Sequence, residues 1–254
     1  VEESVVTAMD GSDVELFRYL PYIMQDIWEF GADPKVMIDL ISKHQVQNEQ
    51  VKVLDLGCGK GAVSVQAAKT LGCSCLGIDA VPGFIEYAQQ KAREYGVEGR
   101  CAFEVADIRE RVKSLSGFNV VILGAIGPVF GDYFTTLTSL KDCLKKDGVF
   151  LIDDGFIDDD SSFQHPLMLT KKQIEQQIEA AGMELLEINA AERDDIVESD
   201  DFIFDRIKAR CEELMAQHPE KAQLFRNYIR NQETENDVLE NKIVGATLVV
   251  RMRK

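Results

Sequence analysis

The sequence predicts an α/β fold, a mostly parallel sheet with helices on both faces. Three observations carry that expectation. From residue 51 onward, short apolar runs alternate with stretches of helical periodicity. A glycine-rich turn follows the first of these runs, where a chain passing from strand to helix must bend tightly. And 254 residues, 45% hydrophobic and 28% charged, are enough for the core of one domain without disulfide staples.

Each element follows from its pattern. Residues 1–14 are polar and read as a frayed start. From 14 to 45 the pattern is helical, with Leu16, Leu20, Ile23, Ile27 and Phe30 on one face, and Pro21 and the stretch 31–34 divide it into two helices. Polar residues 45–50 lead into the first buried strand, 51–56. Helix 62–71 precedes strand 74–79, and helix 83–95 precedes strand 101–106. A short helix over 108–115 precedes strand 119–123, and helix 132–144 precedes strand 149–153. Such strands, apolar on both faces and separated by helices, belong to a parallel sheet with right-handed crossovers. An acidic loop, 154–169, is followed by helix 170–181 and strand 184–190. Residues 192–241 are largely helical, with Pro219 opening the second of two helices, and 243–252 closes as a strand.

Composition excludes several classes of function. Acidic residues outnumber basic ones 44 to 28, a net charge of -16. Such a surface repels phosphate backbones and anionic lipids, so neither nucleic acid nor a membrane is an expected partner. The longest basic stretches are Lys171-Lys172 and Arg251-Met252-Arg253-Lys254. The six cysteines lack zinc spacing, and Cys73 and Cys75 read as strand residues; no metal site is expected. Free thiols point to a reducing compartment, no 18-residue apolar run exists, and Val1-Glu2-Glu3 has no secretion-signal character, so the expected location is cytoplasmic.

The informative stretch is Val53-Leu54-Asp55-Leu56-Gly57-Cys58-Gly59-Lys60-Gly61. Glycines at a strand-to-helix turn let a ligand touch the backbone beside free helix N–H groups. Asp79 closes the second strand, where a carboxylate accepts both hydroxyls of a ribose. Together these features point to an adenosine-type cofactor without selecting one. A pyrophosphate is badly served by a carboxylate two residues before the first glycine, whereas a ligand with a cationic amino-acid end welcomes Asp55. A phosphate-binding loop fails for want of Gly-Lys-Ser/Thr. A nicotinamide-dependent oxidoreductase is the main rival, but Tyr87-Ala-Gln-Gln-Lys91 lies on the wrong helix for the Tyr-x-x-x-Lys of short-chain reductases. A non-catalytic cofactor-binding subunit is the other alternative.

The pattern Asp55-x-Gly57-x-Gly59-x-Gly61 resembles the first motif of class I S-adenosylmethionine-dependent methyltransferases, and the resemblance runs from about Lys52 to Phe156 through Leu76-Gly77-Ile78-Asp79 and Val105-Ala106-Asp107-Ile108. It implies a Rossmann-like seven-stranded sheet whose last, antiparallel strand is inserted beside the fifth, with S-adenosyl-L-methionine as cofactor. It also implies roles. Gly57, Cys58, Gly59 and Gly61 pass the methionine end along the backbone, and Asp55 orients the loop and favours the ammonium. Asp79, with Ala80 after it, takes the ribose. Asp107 meets the adenine amino group and Ile108 offers its N–H, with capping of the helix that follows as the plainer alternative for Asp107. Phe84 lies against the cofactor, and Leu123 and Gly124 border its methionine end.

The acceptor is less legible. The segment Gly124-Ala125-Ile126-Gly127-Pro128 departs from the Asn/Asp-Pro-Pro-Tyr motif of relatives that methylate bases and amides, and its apolar character suits a small organic molecule. Tyr133 and His165 are the candidate catalytic residues, each with a plain structural alternative. Ile126 and Asp154 are candidate substrate contacts, and Tyr19 and Tyr22 candidate closing aromatics. The expected organisation is one methyltransferase domain over 1–254: an N-terminal helical cap (14–45), a cofactor-binding core (51–191), a helical insertion (192–241) and a final strand (242–254). The two helical additions act as a lid, or cover sheet edges, or pair two subunits into a homodimer.

Overall fold

The computed structural model describes residues 1–45 and 50–253, so most of the polar connection expected at 45–50 lies outside the described residues. Among the described residues, strands β1 (Lys52–Leu56), β2 (Ser74–Asp79), β3 (Cys101–Val105), β4 (Phe118–Gly124), β5 (Leu144–Phe156), β6 (Met183–Ala190) and β7 (Val244–Met252) form one sheet in the order β3-β2-β1-β4-β5-β7-β6. The pairings among β1 to β5 are parallel. Strand β7 runs antiparallel between β5 and β6, as the resemblance implies. Central β4 explains its own sequence: Val120, Val121 and Ile122 are all fully buried, because the strand is covered on both faces.

Before the sheet lie α1 (Glu2–Ala8), a 3-10 segment Val14–Tyr19, α2 (Leu20–Ile23) and α3 (Pro34–His44). The crossovers carry α4 (Ala62–Leu71), α5 (Pro82–Tyr95), α6 (Ile108–Arg111), α7 (Tyr133–Leu140) and α8 (Lys171–Ala180). Two long helices, α9 (Arg193–Gln217) and α10 (Ala222–Asn241), separate β6 from β7. One face of the sheet buries Leu54, Val121, Phe150 and Leu248 against Leu137, Ile174 and Ile178 of α7 and α8. The other buries Val53, Ile122, Leu151 and Val249 against Met37 and Ile41 of α3 and Val65 of α4.

A third cluster joins the two helical additions. Leu16, Tyr19, Leu20, Ile23 and Ile27 pack with Ile207, Cys211, Leu214, Phe225 and Tyr228, and the cluster reaches the core through Val81 and Phe84. The apolar faces that the sequence shows on both additions are therefore used on one another within the chain.

Three expectations are corrected. Residues 1–14 are not simply frayed: Val6 is 2% exposed and packs with Leu16, which holds α1 in place. The first N-terminal helix is broken into a 3-10 turn and the four residues of α2, since Pro21 falls at the start of α2, and residues 24–33 then run without helix or strand. And β5 is far longer than 149–153: β7 offers it pairing partners as far as Phe156, and at its start Leu144 pairs with Phe118 of β4.

Candidate functional site

The glycine loop is built by backbone geometry. Gly59 and Gly61 have φ of 51° and 72°, a region that L side chains rarely adopt. A Cβ on Gly59 would lie 2.7 Å from the Phe30 ring, and one on Gly61 2.8 Å from the Ala88 Cβ and the Phe103 ring, so neither position has room for a side chain. Gly57 and Cys58 donate their N–H groups to the Ile78 carbonyl at 2.8 and 3.1 Å, which ties the loop to β2. Helix α4 starts at Gly61 with no side-chain cap.

Two carboxylates stand behind the loop. Asp55, 3% exposed, accepts a 2.7 Å hydrogen bond from Ser64 Oγ, and burial, helped by the charge of Asp79, pushes its pKa up to about 6. Asp79 is held from both sides: Gly59 N donates to Oδ2 at 2.9 Å and Val81 N donates to Oδ1 at 2.8 Å. Burial raises its pKa, and backbone donors, that of Ala80 among them, work against the rise. The Cys58 thiol is pushed well above the usual range by burial and by Asp55 and Asp79, which keeps it protonated and makes it a poor nucleophile.

The remaining cofactor candidates are more dispersed. Asp107 caps α6 by accepting from Arg109 N at 3.0 Å, and the Arg109 guanidinium, 2.8 Å away, holds its carboxyl below the ordinary range. Arg109 also reaches Ser4 Oγ at 3.2 Å, which ties α1 to this corner. Ile108 is buried in the core. Phe84, 1% exposed, meets Phe30 edge to face at 5.6 Å. Leu123 is buried and Gly124 lies against Ala32, whose Cβ is 3.0 Å from where a Cβ on Gly124 would sit. Ile126 reaches the loop from the other side, 2.5 Å from where a Cβ on Gly57 would be.

Sequence reading missed the segment that walls the loop. Lys60 donates from Nζ to the carbonyls of Met24 and Ile27, the latter at 2.6 Å, and its own carbonyl accepts from Trp28 Nε1 at 3.1 Å. Phe30 follows two residues after Trp28. A lysine between two glycines and the chain's single tryptophan were the available signals, but nothing in the spacing joins residues more than 30 apart.

Among the candidates for the acceptor side, Tyr133 Oη donates to Asp154 Oδ2 at 2.8 Å, and burial raises both groups' pKa. Asp153, one residue earlier and on the opposite face of the strand, accepts from Thr247 Oγ1 at 2.7 Å and is pushed to about 6, chiefly by burial, with Asp154 and Asp33 adding to the rise. His165 makes local contacts: its Nδ1 accepts from Leu167 N and Met168 N at 3.3 and 3.2 Å, and its ring stacks on Phe163. Tyr19 and Tyr22 are engaged elsewhere. Tyr19 packs edge to face on Phe225 at 5.1 Å, and Tyr22 Oη donates to Glu213 Oε2 at 2.6 Å, so both join the N-terminal segment to the inserted helices. Among the described residues, no group of three or more His, Cys, Asp or Glu is arranged to hold a metal, and no helix is long and apolar enough to cross a membrane.

Comparison with known proteins places this geometry. The family described as "Methyltransferase domain" matches residues 47–189. The chain is 32% identical over 115 residues to the malonyl-(acyl-carrier protein) O-methyltransferase of Acetivibrio thermocellus, a match covering 44% of this chain and 37% of that one. It is 40% identical over 55 residues to the norajmaline N-methyltransferase of Rauvolfia serpentina, covering 22% and 19%. The matches thus span well under half the length of these curated relatives. Among solved structures, a SAM-dependent methyltransferase from Geobacter sulfurreducens in complex with S-adenosyl-L-homocysteine superposes with a TM-score of 0.76 at 18% identity, over 93% of this chain and 98% of that one, which shows a shared fold.

Proposed function

The chain belongs to this methyltransferase-domain family, and from that premise we propose that it binds S-adenosyl-L-methionine and transfers its methyl group to a small organic acceptor. Asp79 carries the cofactor assignment: it lies at the end of β2 with both oxygens turned to backbone donors of the glycine loop and of the turn into α5. Each carboxylate oxygen keeps a lone pair for a ribose hydroxyl. The rest of the donor set fits the same ligand. The loop backbone at Gly57 and Gly59, covered on the Cβ side by Ile126 and Phe30, leaves its other edge for the methionine end, and Asp55 supplies negative charge beside its ammonium. Phe84, Ile108, Leu123 and Gly124 form apolar or side-chain-free walls, and Asp107, paired with Arg109, is the candidate for the adenine amino group.

The cofactor supplies an already activated methyl group, so the protein's part is alignment and exclusion of water. Good alignment is worth roughly 7–11 kcal/mol of the barrier. Tyr133 and Asp154 form the polar pair on the acceptor side, and Asp154 can take a proton from a nucleophile that arrives with one. His165 is a second candidate, carried by its loop after β5. Ile126 closes the apolar side. Asp154 favours a neutral or cationic acceptor over an anionic one. The core 51–191 with 242–254 holds the cofactor; residues 14–30 and segment 192–241 form one cap, while α3, the rest of the expected cap 14–45, lies against the sheet. The net charge of -16 argues against nucleic acid as acceptor, and the buried free thiols fit a reducing, cytoplasmic setting.

Calorimetry tests the assignment. S-adenosylhomocysteine should bind at micromolar levels or better, on the order of −8 kcal/mol, with NAD far weaker. A preference for NAD would reverse the assignment to an oxidoreductase. Tight cofactor binding with no turnover across a panel of amines, thiols and hydroxylated metabolites would favour a non-catalytic subunit.

A further inference from the structure

Lys60 has no part in the functional reading above. It lies between two glycines of positive φ, yet it is only 3% exposed. A buried ammonium needs partners for its three N–H bonds. Those of Lys60 are the carbonyls of Met24 and Ile27, just past α2, and the face of Tyr87, 4.3 Å from the ring centre. The Lys60 carbonyl holds the same segment again through Trp28 Nε1. Gln66 adds a 2.6 Å bond to Glu29, and the Lys91 ammonium lies 5.0 Å over the Trp28 ring. The segment so held has no helix or strand of its own. It carries Phe30 onto Gly59 and Phe84, then passes Gly31 and Ala32 against Gly124, so it spans from the glycine loop to the end of β4.

We propose that Lys60 is a positioning residue that clamps segment 24–33 across the cofactor site, so that docking of this strap and retention of the cofactor are coupled. The identity of the cofactor rests on the methyltransferase reading; the clamp itself does not. Without the amine, two carbonyls would be left without their donor, which favours the strap leaving its place. Protonation gives the clamp a signature of its own. Burial lowers the Lys60 pKa to about 8, with Asp26 opposing the shift and Lys91 adding to it. An undocked, solvated lysine titrates near 10.4, so the docked state gives up its proton more readily and docking strengthens as pH rises above about 8. The charged and titratable groups around Lys60 are Tyr87 and Lys91 on α5, Asp26 with its partner Arg210 of α9, and Glu29 beside Trp28. Tyrosine titrates near 10, so the profile is read between about pH 7.5 and 9.5.

The experiment uses the full chain and Lys60→Met. Protection of amides 24–33 against hydrogen exchange is measured without ligand, and S-adenosylhomocysteine affinity by calorimetry, both across that pH range. In the variant, protection and affinity should each fall about tenfold. In the wild type, protection corrected for intrinsic exchange should rise with pH, and the variant should lose that slope. Unchanged protection in Lys60→Met would overturn the proposal, as would loosened amides with affinity still within about twofold of wild type. Should the variant not fold, Trp28→Phe, which removes the bond to the Lys60 carbonyl, is measured in its place, and unchanged protection of amides 24–33 with unchanged affinity overturns the clamp. A wild type that does not bind S-adenosylhomocysteine at all would overturn the functional reading instead, and the ligand-free exchange would still judge the clamp.

Discussion

Asp79→Asn tests the site with almost no change of shape. The carboxylate serves two backbone donors on two different oxygens, Gly59 N on Oδ2 and Val81 N on Oδ1. An asparagine amide has one acceptor oxygen, and its NH2 group can only donate. Whichever way the amide turns, one of the two N–H groups faces another donor. An unmet buried donor costs about 1–3 kcal/mol, and in a domain of this size each kcal/mol lowers the melting temperature by roughly 2–4 °C. The variant should therefore stay folded and melt a few degrees lower. The larger effect falls on the ligand. A hydrogen bond to a charged acceptor is worth about 1.5–3 kcal/mol, so losing one from the ribose reduces S-adenosylhomocysteine affinity about ten- to a hundredfold. Calorimetry on wild type and variant, with scanning calorimetry for stability, measures both. Because burial raises the Asp79 pKa, wild-type affinity should also decline on acidification sooner than an ordinary carboxylate would require, and the variant should lack that decline. A folded variant that binds within about twofold of wild type would refute the ribose assignment.

Three further outcomes are expected. Asp10, at φ 62° and bonded to Gln232 Nε2 at 2.9 Å, is raised to about 7 by burial, with Glu235 and Asp200 adding to the rise. The native state holds this proton where the unfolded chain releases it, so stability falls as pH climbs from about 4 to 7; Asp10→Asn should remove that slope and be more stable at pH 8 by up to about 4 kcal/mol, as chemical denaturation at pH 5 and 8 will show. Gly61→Ala combines left-handed backbone strain with overpacking against Ala88 and Phe103 and should cost roughly 2–4 kcal/mol in urea melts; a neutral effect would contradict the described loop. Fluorescence anisotropy with labelled DNA and RNA at low salt should detect no micromolar binding; binding that weakens steeply with salt would reveal a basic face that outweighs the net charge.

Periodicity alone made the sheet legible, because a strand buried on both faces has little choice but an apolar run, and β1 to β4 fall within a residue or two of expectation. The glycine loop was legible because positive φ leaves few alternatives to glycine. What the sequence hid are contacts between distant residues. Tyr19 and Tyr22 are placed on the cap's inner seam by Phe225 and Glu213, about 200 residues downstream, which no local pattern encodes. Asp107 is a helix cap, as its spacing allowed, but its ion pair with Arg109 and the tie to Ser4 depend on α1, whose single buried anchor, Val6, is too little for periodicity to register. Lys60 is buried only because the chain folds back over it, through residues 24–28, more than 30 positions away.

The place of β7 also sets the order in which the molecule can be completed. Once residue 156 has left the ribosome, β1 to β5 can pair as a half-sheet, with the outer edge of β5 open. Strand β6 emerges next but has only β7 as a neighbour, and β7 follows α9 and α10, some fifty residues later. At a synthesis rate of about 5–20 residues per second, the β5 edge stays unpaired for several seconds. An open edge is a template for association with other chains. During that interval α9 and α10 can meet the N-terminal segments already made, because their shared cluster needs nothing from β7. In vectorial synthesis β7 is thus the last strand to reach the sheet, and it enters between two neighbours already made.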